Sequence, residues 1–284
     1  MSQASDRPDL GFRWVDRENV AEGNRFTVEI LAESPAFRGH FPGRPILPAV
    51  AQLALVEEGI AQLNKEDRPR RSSIAEISGL RLRRTVGPGD RLTLWIGAAN
   101  EKGMHRFEIR SDENVVSGGS VRVGLDEPSG VLPASAPMID LEAVPAIPAL
   151  GRVPHSPPAL LIDSLVARGL SGARGRGLIP ADSPFAVAGH APSYLGLEIA
   201  AQTAALVEAL SRKGKDAAPR VGYLVAIRQA RCYVRSLPIG EPLDVVVLLA
   251  GSAPPLSIYE IRIEREGRLL VDGTISTWIG EGES

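Results

Sequence analysis

The chain of 284 residues lacks several features that would direct it to other classes of function. Its one cysteine, Cys232, excludes an internal disulfide and a cysteine-based zinc site, which suits a reducing compartment. Its 32 basic and 34 acidic residues do not give the basic balance typical of nucleic-acid-binding proteins. The sequence has no apolar run of the ~20 residues needed to cross a bilayer and no secretory signal pattern at its start. We therefore expect a cytoplasmic protein that binds neither nucleic acid nor membranes.

The chain contains the same order of predicted secondary-structure elements in each of its two halves. In each half a strand-like segment and a loop rich in Gly and Pro precede a long apolar helix, and four β-like runs separated by turn residues follow it. The offset between equivalent residues grows slowly, from the pair Pro48 and Pro192 to the pair Gly118 and Gly273. A few loop insertions would produce such a drift, so the sequence predicts two units of one architecture.

The helix of each half is apolar on nearly all sides, so we expect the antiparallel sheet to wrap around it. The predicted fold class is α+β, a double hot-dog in which two tandem units form a pseudo-dimer. Residues 1–124 are predicted to form the N-terminal unit, 125–150 a linker rich in Pro, Ala and Ser, and 151–284 the C-terminal unit. Exposed sheet edges would also permit a homodimer of such chains.

The two loop-to-helix passages differ in their reactive residues. The first, GHFPGRPILPAVAQLA (39–54), carries His40 in a His-Phe-Pro-Gly loop and has Ala54 six residues after its last proline. The second, AGHAPSYLGLEIAAQ (188–202), lacks that loop but has Glu198 six residues after Pro192. The first half thus supplies a base without an acid, and the second an acid without the loop.

These residues resemble the β-hydroxyacyl-[acyl-carrier-protein] dehydratases of bacterial fatty-acid synthesis, the FabA/FabZ type. The matching residues of the first half are His40, Phe41, Pro42, Gly43, Pro45, Leu47 and Pro48, with Ala49 in place of the usual Gly. In the second half, VPHSPPALLID (153–163) is similar to the family's N-terminal Pro-His…Leu-Asp segment, and Glu198 and Gln202 match its acid and glutamine. The likeness is greatest to the paired dehydratases of aryl polyene pathways, here joined in one chain.

The resemblance implies the dehydration of a 3-hydroxyacyl thioester carried on the phosphopantetheine of acyl carrier protein. Neutral His40 would accept the proton from C2, and Glu198, whose acid form is favoured by burial, would protonate the hydroxide leaving C3. In this family the histidine and acid of one site come from opposite subunits. We therefore expect one composite site and one vacant site, with Gly43 and the first N–H groups after each proline as oxyanion donors.

Further contacts are expected around this pair. The remaining candidate substrate-binding residues are Phe41, Arg44, Pro48, Ala49, His190, Gly196 and Gln202. The small helix residues predicted to shape an acyl tunnel are Ala49, Ala51, Gly196, Ala200 and Ala201. The Arg-rich stretch with arginines at 68, 70, 71, 81, 83 and 84 is interpreted either as a docking surface for acidic acyl carrier protein or as a solvated loop and strand edge. No metal ion or redox cofactor is implied.

Several residues admit more than one interpretation. His190 is either an auxiliary base or a loop-capping residue, and His155 is interpreted as structural, as is His105 on a strand face. Glu58 either completes the vacant site or forms, with Glu57, the polar edge of a helix. Cys232 is expected in the core or in the tunnel wall.

Two other functions fit the same fold. A hot-dog thioesterase would use a carboxylate and a water molecule in place of a His/acid pair. A non-catalytic subunit would bind acyl carrier protein without turnover.

Overall fold

The computed structural model describes residues 7–63, 73–124, 141–211 and 222–279. The N-terminal unit contains β1 (Phe12–Val20), β2 (Gly23–Ile30), a short 3-10 helix (Pro35–Phe37), α1 (Ala49–Leu63), β3 (Ser73–Leu82), β4 (Arg91–Gly97), β5 (Met104–Ser111) and β6 (Asn114–Gly124). The C-terminal unit contains β7 (Glu142–Pro148), β8 (Ile162–Arg168), β9 (Gly172–Leu178), β10 (His190–Pro192), α2 (Leu195–Ser211), β11 (Gly222–Cys232), β12 (Ser236–Pro238), β13 (Pro242–Ala253), β14 (Leu256–Arg265) and β15 (Arg268–Ile279).

One antiparallel sheet runs through both units. Within the described ranges it has 13 strands, in the order β1-β2-β4-β5-β6-β3-β11-β15-β14-β13-β9-β8-β7. The two units join where β3 pairs with β11, with Ile77 opposite Ala230. This arrangement confirms the predicted double hot-dog fold, because two wrapped helices share one continuous sheet.

Both helices are buried in the concave side of this sheet. Val50 and Leu53 of α1 and Leu197 and Leu206 of α2 have no exposed surface. Burying each such side chain contributes roughly 1.5–3 kcal/mol, so the apolar character of the helices on nearly all sides is explained by contacts all around them. Among the described residues neither helix is long and apolar enough to cross a membrane.

The sequence predicted one strand before each helix, and this prediction was incomplete. β1 was missed because its consecutive charged residues Asp16, Arg17 and Glu18 interrupt the alternating β pattern. β9 was missed because its sequence, GARGRGL, has the glycines that weaken a strand prediction. A Cβ on Gly175 would lie 2.7 Å from Ile162 Cδ1, and a Cβ on Gly177 2.7 Å from Ile199 Cγ2. These glycines therefore let neighbouring side chains, including one from α2, lie close to the sheet.

The boundary between the units also differs from the prediction in part. Residues 142–148, assigned to the linker, form β7 and pair with β8 at the end of the sheet. Pro145 and Pro148 are compatible with this place, since prolines are tolerated in edge strands. The predicted linker residues 125–140 and the arginines at 68, 70 and 71 lie outside the described residues.

Candidate active site

The loop before α1 fixes the orientation of the His40 ring. The Ile46 carbonyl lies 2.8 Å from His40 Nδ1, and the Ile46 N–H donates to the His40 carbonyl at 3.0 Å. A carbonyl only accepts hydrogen bonds, so Nδ1 carries the proton of the neutral ring and Nε2 has the lone pair. The ring is buried and stacks on Phe41 with a centroid distance of 4.3 Å.

This loop packs closely against the C-terminal unit. Gly39 has a φ of +81°, and a Cβ at this position would lie 2.1 Å from the Ser156 carbonyl oxygen. The Ser156 N–H donates to the Gly39 carbonyl at 3.1 Å. Only glycine permits both this backbone conformation and this approach, and the contact brings His155 beside His40.

The first turn of α2 supplies the acid. Gln202, one turn further along, donates from Nε2 to Glu198 Oε1 at 3.0 Å and to the Ala159 carbonyl at 2.8 Å. Its Oε1 accepts from the Leu161 N–H at 2.8 Å. Because both ends of the buried amide are held, Gln202 fixes the Glu198 carboxylate and the segment that carries His155.

Side chains from both units meet at one point. His155 Nε2 lies 3.2 Å and His40 Nε2 lies 3.9 Å from Glu198 Oε1. The centroids of the two imidazole rings are 5.1 Å apart, and all three side chains are buried. The composite arrangement expected for His40 and Glu198 is thus present in the geometry, with a third titratable group added to it.

The protonation state of Glu198 differs from the expectation. Burial acts to raise the pKa of Glu198, but the hydrogen bond from His155, the charges of both histidines and the hydrogen bond from Gln202 outweigh it. The pKa falls to about 2. Burial lowers the pKa of His40, although the Glu198 carboxylate opposes this shift. The expectation that burial alone keeps Glu198 protonated is therefore wrong, and a proton at this site belongs to a carboxylate–imidazole pair.

His155 is the residue whose role the sequence analysis underestimated. Its Nδ1 is buried and has no hydrogen-bond partner in the described part of the chain. An unpartnered buried polar atom is costly, which points to a functional use of the ring. The only signal in the sequence was the PHSPP segment, and nothing in that segment indicates that it packs against the His40 loop of the other unit.

A cavity of about 490 Å³ opens from this cluster. Phe41, Arg44 and Ala49 of the predicted substrate contacts line it, together with Ala201 of the predicted tunnel residues. It is also lined by Arg83 and Arg84 and by Tyr223 and Trp278, which the sequence did not single out for substrate.

Other predicted contacts lie elsewhere. His190 is exposed on β10, which pairs with β12. Gly43 is also exposed, and a Cβ there would meet nothing within 4 Å. Gly196 faces the sheet, where a Cβ would lie 2.8 Å from Ile263 Cγ1. Pro48 accepts backbone hydrogen bonds in the first turn of α1. These four positions serve the backbone and packing, so their prediction as substrate contacts has no support in the geometry.

The tunnel prediction also holds only in part. Ala51 and Ala200 are buried in the hydrophobic core and, within the described ranges, do not line the cavity. Cys232 is likewise a core residue, and burial raises the pKa of its thiol to about 12. The prediction of a core position for Cys232 is confirmed.

The equivalent place in the other half is occupied by a structural network. Ala54 is buried, and Glu58 accepts a hydrogen bond from the Trp14 indole at 2.7 Å. The sequence analysis placed Glu57 at the polar edge of the helix, but the structure shows it buried. It accepts from the Ile74 N–H at 2.9 Å and from the Tyr194 hydroxyl at 3.2 Å. With His190 exposed on β10, the described residues assemble no second His/acid pair.

The cluster also has the composition of a metal-ligand set. The ligand atoms of His40, His155 and Glu198 lie within 4.8 Å of one another. Two imidazoles and one carboxylate are suitable ligands for divalent zinc or iron. The same three groups equally suit proton transfer, since each can gain or lose a proton.

Comparisons with known proteins divide the chain in the same way as the fold. A family model described as ApeI dehydratase matches residues 17–120, and one described as ApeP dehydratase matches residues 147–281. The resemblance to paired dehydratases joined in one chain is thereby confirmed.

Individual proteins agree with this division. The chain is 34% identical over 110 residues to 3-hydroxyacyl-[acyl-carrier-protein] dehydratase FabZ of Variovorax paradoxus, a match that covers 35% of this chain and 73% of that protein. It is 33% identical over 100 residues to FabZ of Myxococcus xanthus, covering 32% of this chain and 65% of that protein. The dehydratase domain of RzxB from Pseudomonas fluorescens has the same fold, with a TM-score of 0.66, 13% identity and coverage of 92% and 96%.

The fold, the shared cluster and these matches lead to one assignment: the chain belongs to the FabZ-type family of hot-dog dehydratases, with an ApeI-like and an ApeP-like unit fused in sequence.

Proposed function

We propose that the protein dehydrates a 3-hydroxyacyl thioester, carried on the phosphopantetheine arm of an acyl carrier protein, to the trans-2-enoyl thioester. The observation that supports this most directly is the meeting of His40, His155 and Glu198, from two units, on the wall of one cavity. A base and a proton donor within 4 Å of each other suit a reaction that removes a proton from C2 and hydroxide from C3.

His40 is the base in this mechanism. Its Nδ1 is held by the Ile46 carbonyl, so Nε2 accepts the C2 proton. Burial lowers the pKa of His40, which keeps the ring neutral and able to accept a proton at neutral pH. The electron pair of the C2–H bond then forms the C2–C3 double bond as the C3–O bond breaks.

The leaving hydroxide takes its proton from the Glu198–His155 pair and departs as water. In the proton-bearing form of this pair the His155 ring is protonated on both nitrogens and Nε2 donates to Glu198 Oε1 at 3.2 Å, so that after the transfer a neutral imidazole remains beside the carboxylate. After the reaction the proton on His40 returns to the pair through Glu198 Oε1, 3.9 Å away. The site is then ready for another turnover, with all protons accounted for.

The developing enolate oxygen needs hydrogen-bond donors, and the N-terminus of α1 supplies them. Ala49, the first residue of this helix, lines the cavity. The first N–H groups of a helix have no intrahelical partners, and the helix dipole favours negative charge there. Such a donor contributes roughly 10²–10³ in rate.

Three arginines suit the carrier. Arg44, Arg83 and Arg84 line the same cavity, and guanidinium groups bind phosphate and acidic surfaces well. They therefore fit the phosphate of a phosphopantetheine arm and the acidic carrier that bears it. Because the single cysteine suits a reducing compartment, we assign the reaction to the cytoplasm.

The test is turnover of a 3-hydroxyacyl carrier-protein thioester, with the saturated acyl analogue assayed in parallel. We expect loss of water from the former. Free acid released from either would instead indicate a thioesterase.

His40→Ala and Glu198→Gln should each abolish turnover, with the double variant no slower than either. His105→Ala, a histidine on β5 outside the cluster, is the matched control and should be unchanged. A protein that binds the carrier but turns over neither substrate would be a non-catalytic subunit.

A further inference from the structure

Gln52 places a buried amide in the wall of the catalytic cavity. Its side chain is 4% exposed, and it lines the cavity together with Ala49, the first residue of α1. The two residues are three positions apart, so they share one face of the helix and are ~4.5 Å apart along its axis. Gln52 therefore borders the space next to the N–H groups that suit the thioester oxygen.

One end of this amide has no partner. Its Oε1 is buried and forms no hydrogen bond with any residue that the structure describes. Gln202, the buried glutamine of α2, differs in this respect, because its Oε1 accepts from the Leu161 N–H and its Nε2 donates to Glu198. Buried acceptors without a donor are rare and costly. The described fold thus accounts for the Gln202 amide but makes no use of the Gln52 acceptor.

Helix geometry directs the Gln52 side chain to the reacting end of the cavity. Side chains on a helix tilt towards its N-terminus, so a long side chain at position 52 covers the first turn of α1. A thioester whose oxygen is bound at that turn has its 3-hydroxyl only two carbons further along the acyl chain. At this end of the acyl chain, the 3-hydroxyl is the group with an O–H to donate, which is what an unpartnered acceptor requires.

We propose that Gln52 is a specificity-determining residue whose Oε1 accepts a hydrogen bond from the 3-hydroxyl of the substrate. The hydroxyl oxygen then keeps its lone pairs for the proton of the Glu198–His155 pair, and the water that departs still donates to Gln52. Acyl chains without this hydroxyl leave the acceptor unmet and bind more weakly. This inference rests on the proposed dehydration, since it concerns the hydroxyl that the reaction removes.

A role in binding has a different signature from a role in the fold. Gln52→Met keeps an unbranched side chain of similar length and replaces the unpartnered acceptor with apolar atoms. For the free protein such a change is neutral or stabilising, because no protein hydrogen bond is lost. For the bound substrate it removes an acceptor that a site built around a hydroxyl uses to reject analogues without one.

The experiment measures binding of 3-hydroxyoctanoyl pantetheine and octanoyl pantetheine by calorimetry. The His40→Ala background is used, because without the base the substrate is not consumed. We expect His40→Ala to bind the hydroxylated ligand roughly tenfold more tightly than the saturated one. His40→Ala/Gln52→Met should bind the two ligands equally, with a thermal unfolding midpoint no lower than that of His40→Ala.

Kinetics test the same role with His40 in place. Gln52→Met should lower kcat/KM for 3-hydroxyoctanoyl pantetheine roughly tenfold, while the inhibition constant of octanoyl pantetheine stays at the wild-type value. Gln62→Met is the matched control. It makes the same change at a half-buried glutamine of α1 outside the described lining of the cavity, and it should leave both constants unchanged.

Three results would count against this role. Unchanged kcat/KM in Gln52→Met, or equal weakening of both ligands, would overturn the contact with the hydroxyl and leave the proposed function standing. A lower unfolding midpoint in Gln52→Met with an unchanged affinity ratio would show that the amide serves the fold. If the wild type dehydrates no substrate, the proposed function fails; calorimetry then tests Gln52 alone, and equal affinities of His40→Ala for the two ligands would overturn its role.

Discussion

His155 and Glu198 form the closest contact of the reacting cluster, at 3.2 Å, and they belong to the same unit. His40 comes from the other unit and stands slightly further away. The shorter contact marks His155 and Glu198 as the pair that donates the proton, and the longer one marks His40 as the base. Substitutions of His155 that keep or remove its hydrogen-bond donor test these two roles.

We expect His155→Gln and His155→Leu both to lower kcat by roughly 10²-fold or more, because neither side chain can supply a proton to the leaving hydroxide. The glutamine retains an N–H donor for Glu198, and the leucine does not. Steady-state kinetics on a 3-hydroxyacyl thioester measure this. Near-normal kcat in His155→Gln with a low kcat in His155→Leu would reduce His155 to a positioning residue for the carboxylate.

The acid limb of the pH profile reports on His40. Only the neutral ring accepts the C2 proton, and burial lowers its pKa from the ordinary value of 6.5. The ring therefore stays neutral into more acidic solution than a free histidine would. We expect the acidic midpoint of kcat/KM to lie below pH 6.5, measured with substrate well below KM. A midpoint above pH 6.5 would contradict the assignment of His40 as the base.

At the scale of elements, Glu57 couples α1 to the residues that precede α2. Burial raises the pKa of Glu57 to about 7, against the lowering effects of Arg7 and of the hydrogen bonds from Ile74 and Tyr194. The folded-state value is thus above the unfolded one, about 4.3. The protonated form stabilises the fold, and this contribution is lost as pH rises through about 7.

We expect the wild type to lose stability relative to Glu57→Gln between pH 5 and pH 8, by an amount on the order of 3 kcal/mol. Urea unfolding at several pH values measures the difference. Glu113→Gln, an exposed glutamate in a turn, is the control and should follow the wild type at every pH. A constant difference between wild type and Glu57→Gln across this range would show that Glu57 has no raised pKa in the folded protein.

The glycines of β9 set the distance between α2 and the sheet. We expect Gly177→Ala to destabilise the fold by about 1–3 kcal/mol, because its Cβ would lie 2.7 Å from Ile199 Cγ2 and α2 would have to shift. Gly251→Ala, where a Cβ would meet nothing within 4 Å, serves as the control. Thermal unfolding of both variants gives the comparison. Equal stability of the two variants would mean that α2 shifts away from residue 177 without a measurable loss of stability.

For the whole molecule, one continuous sheet and one shared site couple the two units. We expect a urea titration to show activity and far-ultraviolet circular dichroism lost in the same transition, because pairing of β3 with β11 holds His40 near Glu198. Activity lost at clearly lower urea than the circular dichroism signal would mean that the units separate before they unfold.

The homodimer stays a prediction. The two ends of the described sheet are β1, with its charged residues, and β7, with its prolines. Both features oppose pairing through these edges. Light scattering of the intact protein determines the oligomeric state.

The sequence by itself determined the repeated architecture, because the apolar helices, the β-like runs and the His-Phe-Pro-Gly loop are local patterns that can be recognised without the tertiary structure. It also assigned the base to the first half and the acid to the second, because Ala54 and Glu198 occupy equivalent positions, six residues after Pro48 and Pro192. The edge strands β1 and β7 and the inner strand β9 were not predictable, because their charged residues, prolines and glycines lower the local β propensity and only pairing with neighbouring strands makes them strands. Only the tertiary structure decided which groups meet. Gln202 holds Glu198 and the segment that carries His155 together, and Gly39 lets that segment approach the His40 loop of the other unit. These are distances between groups far apart in sequence, and they depend on how closely the two units pack.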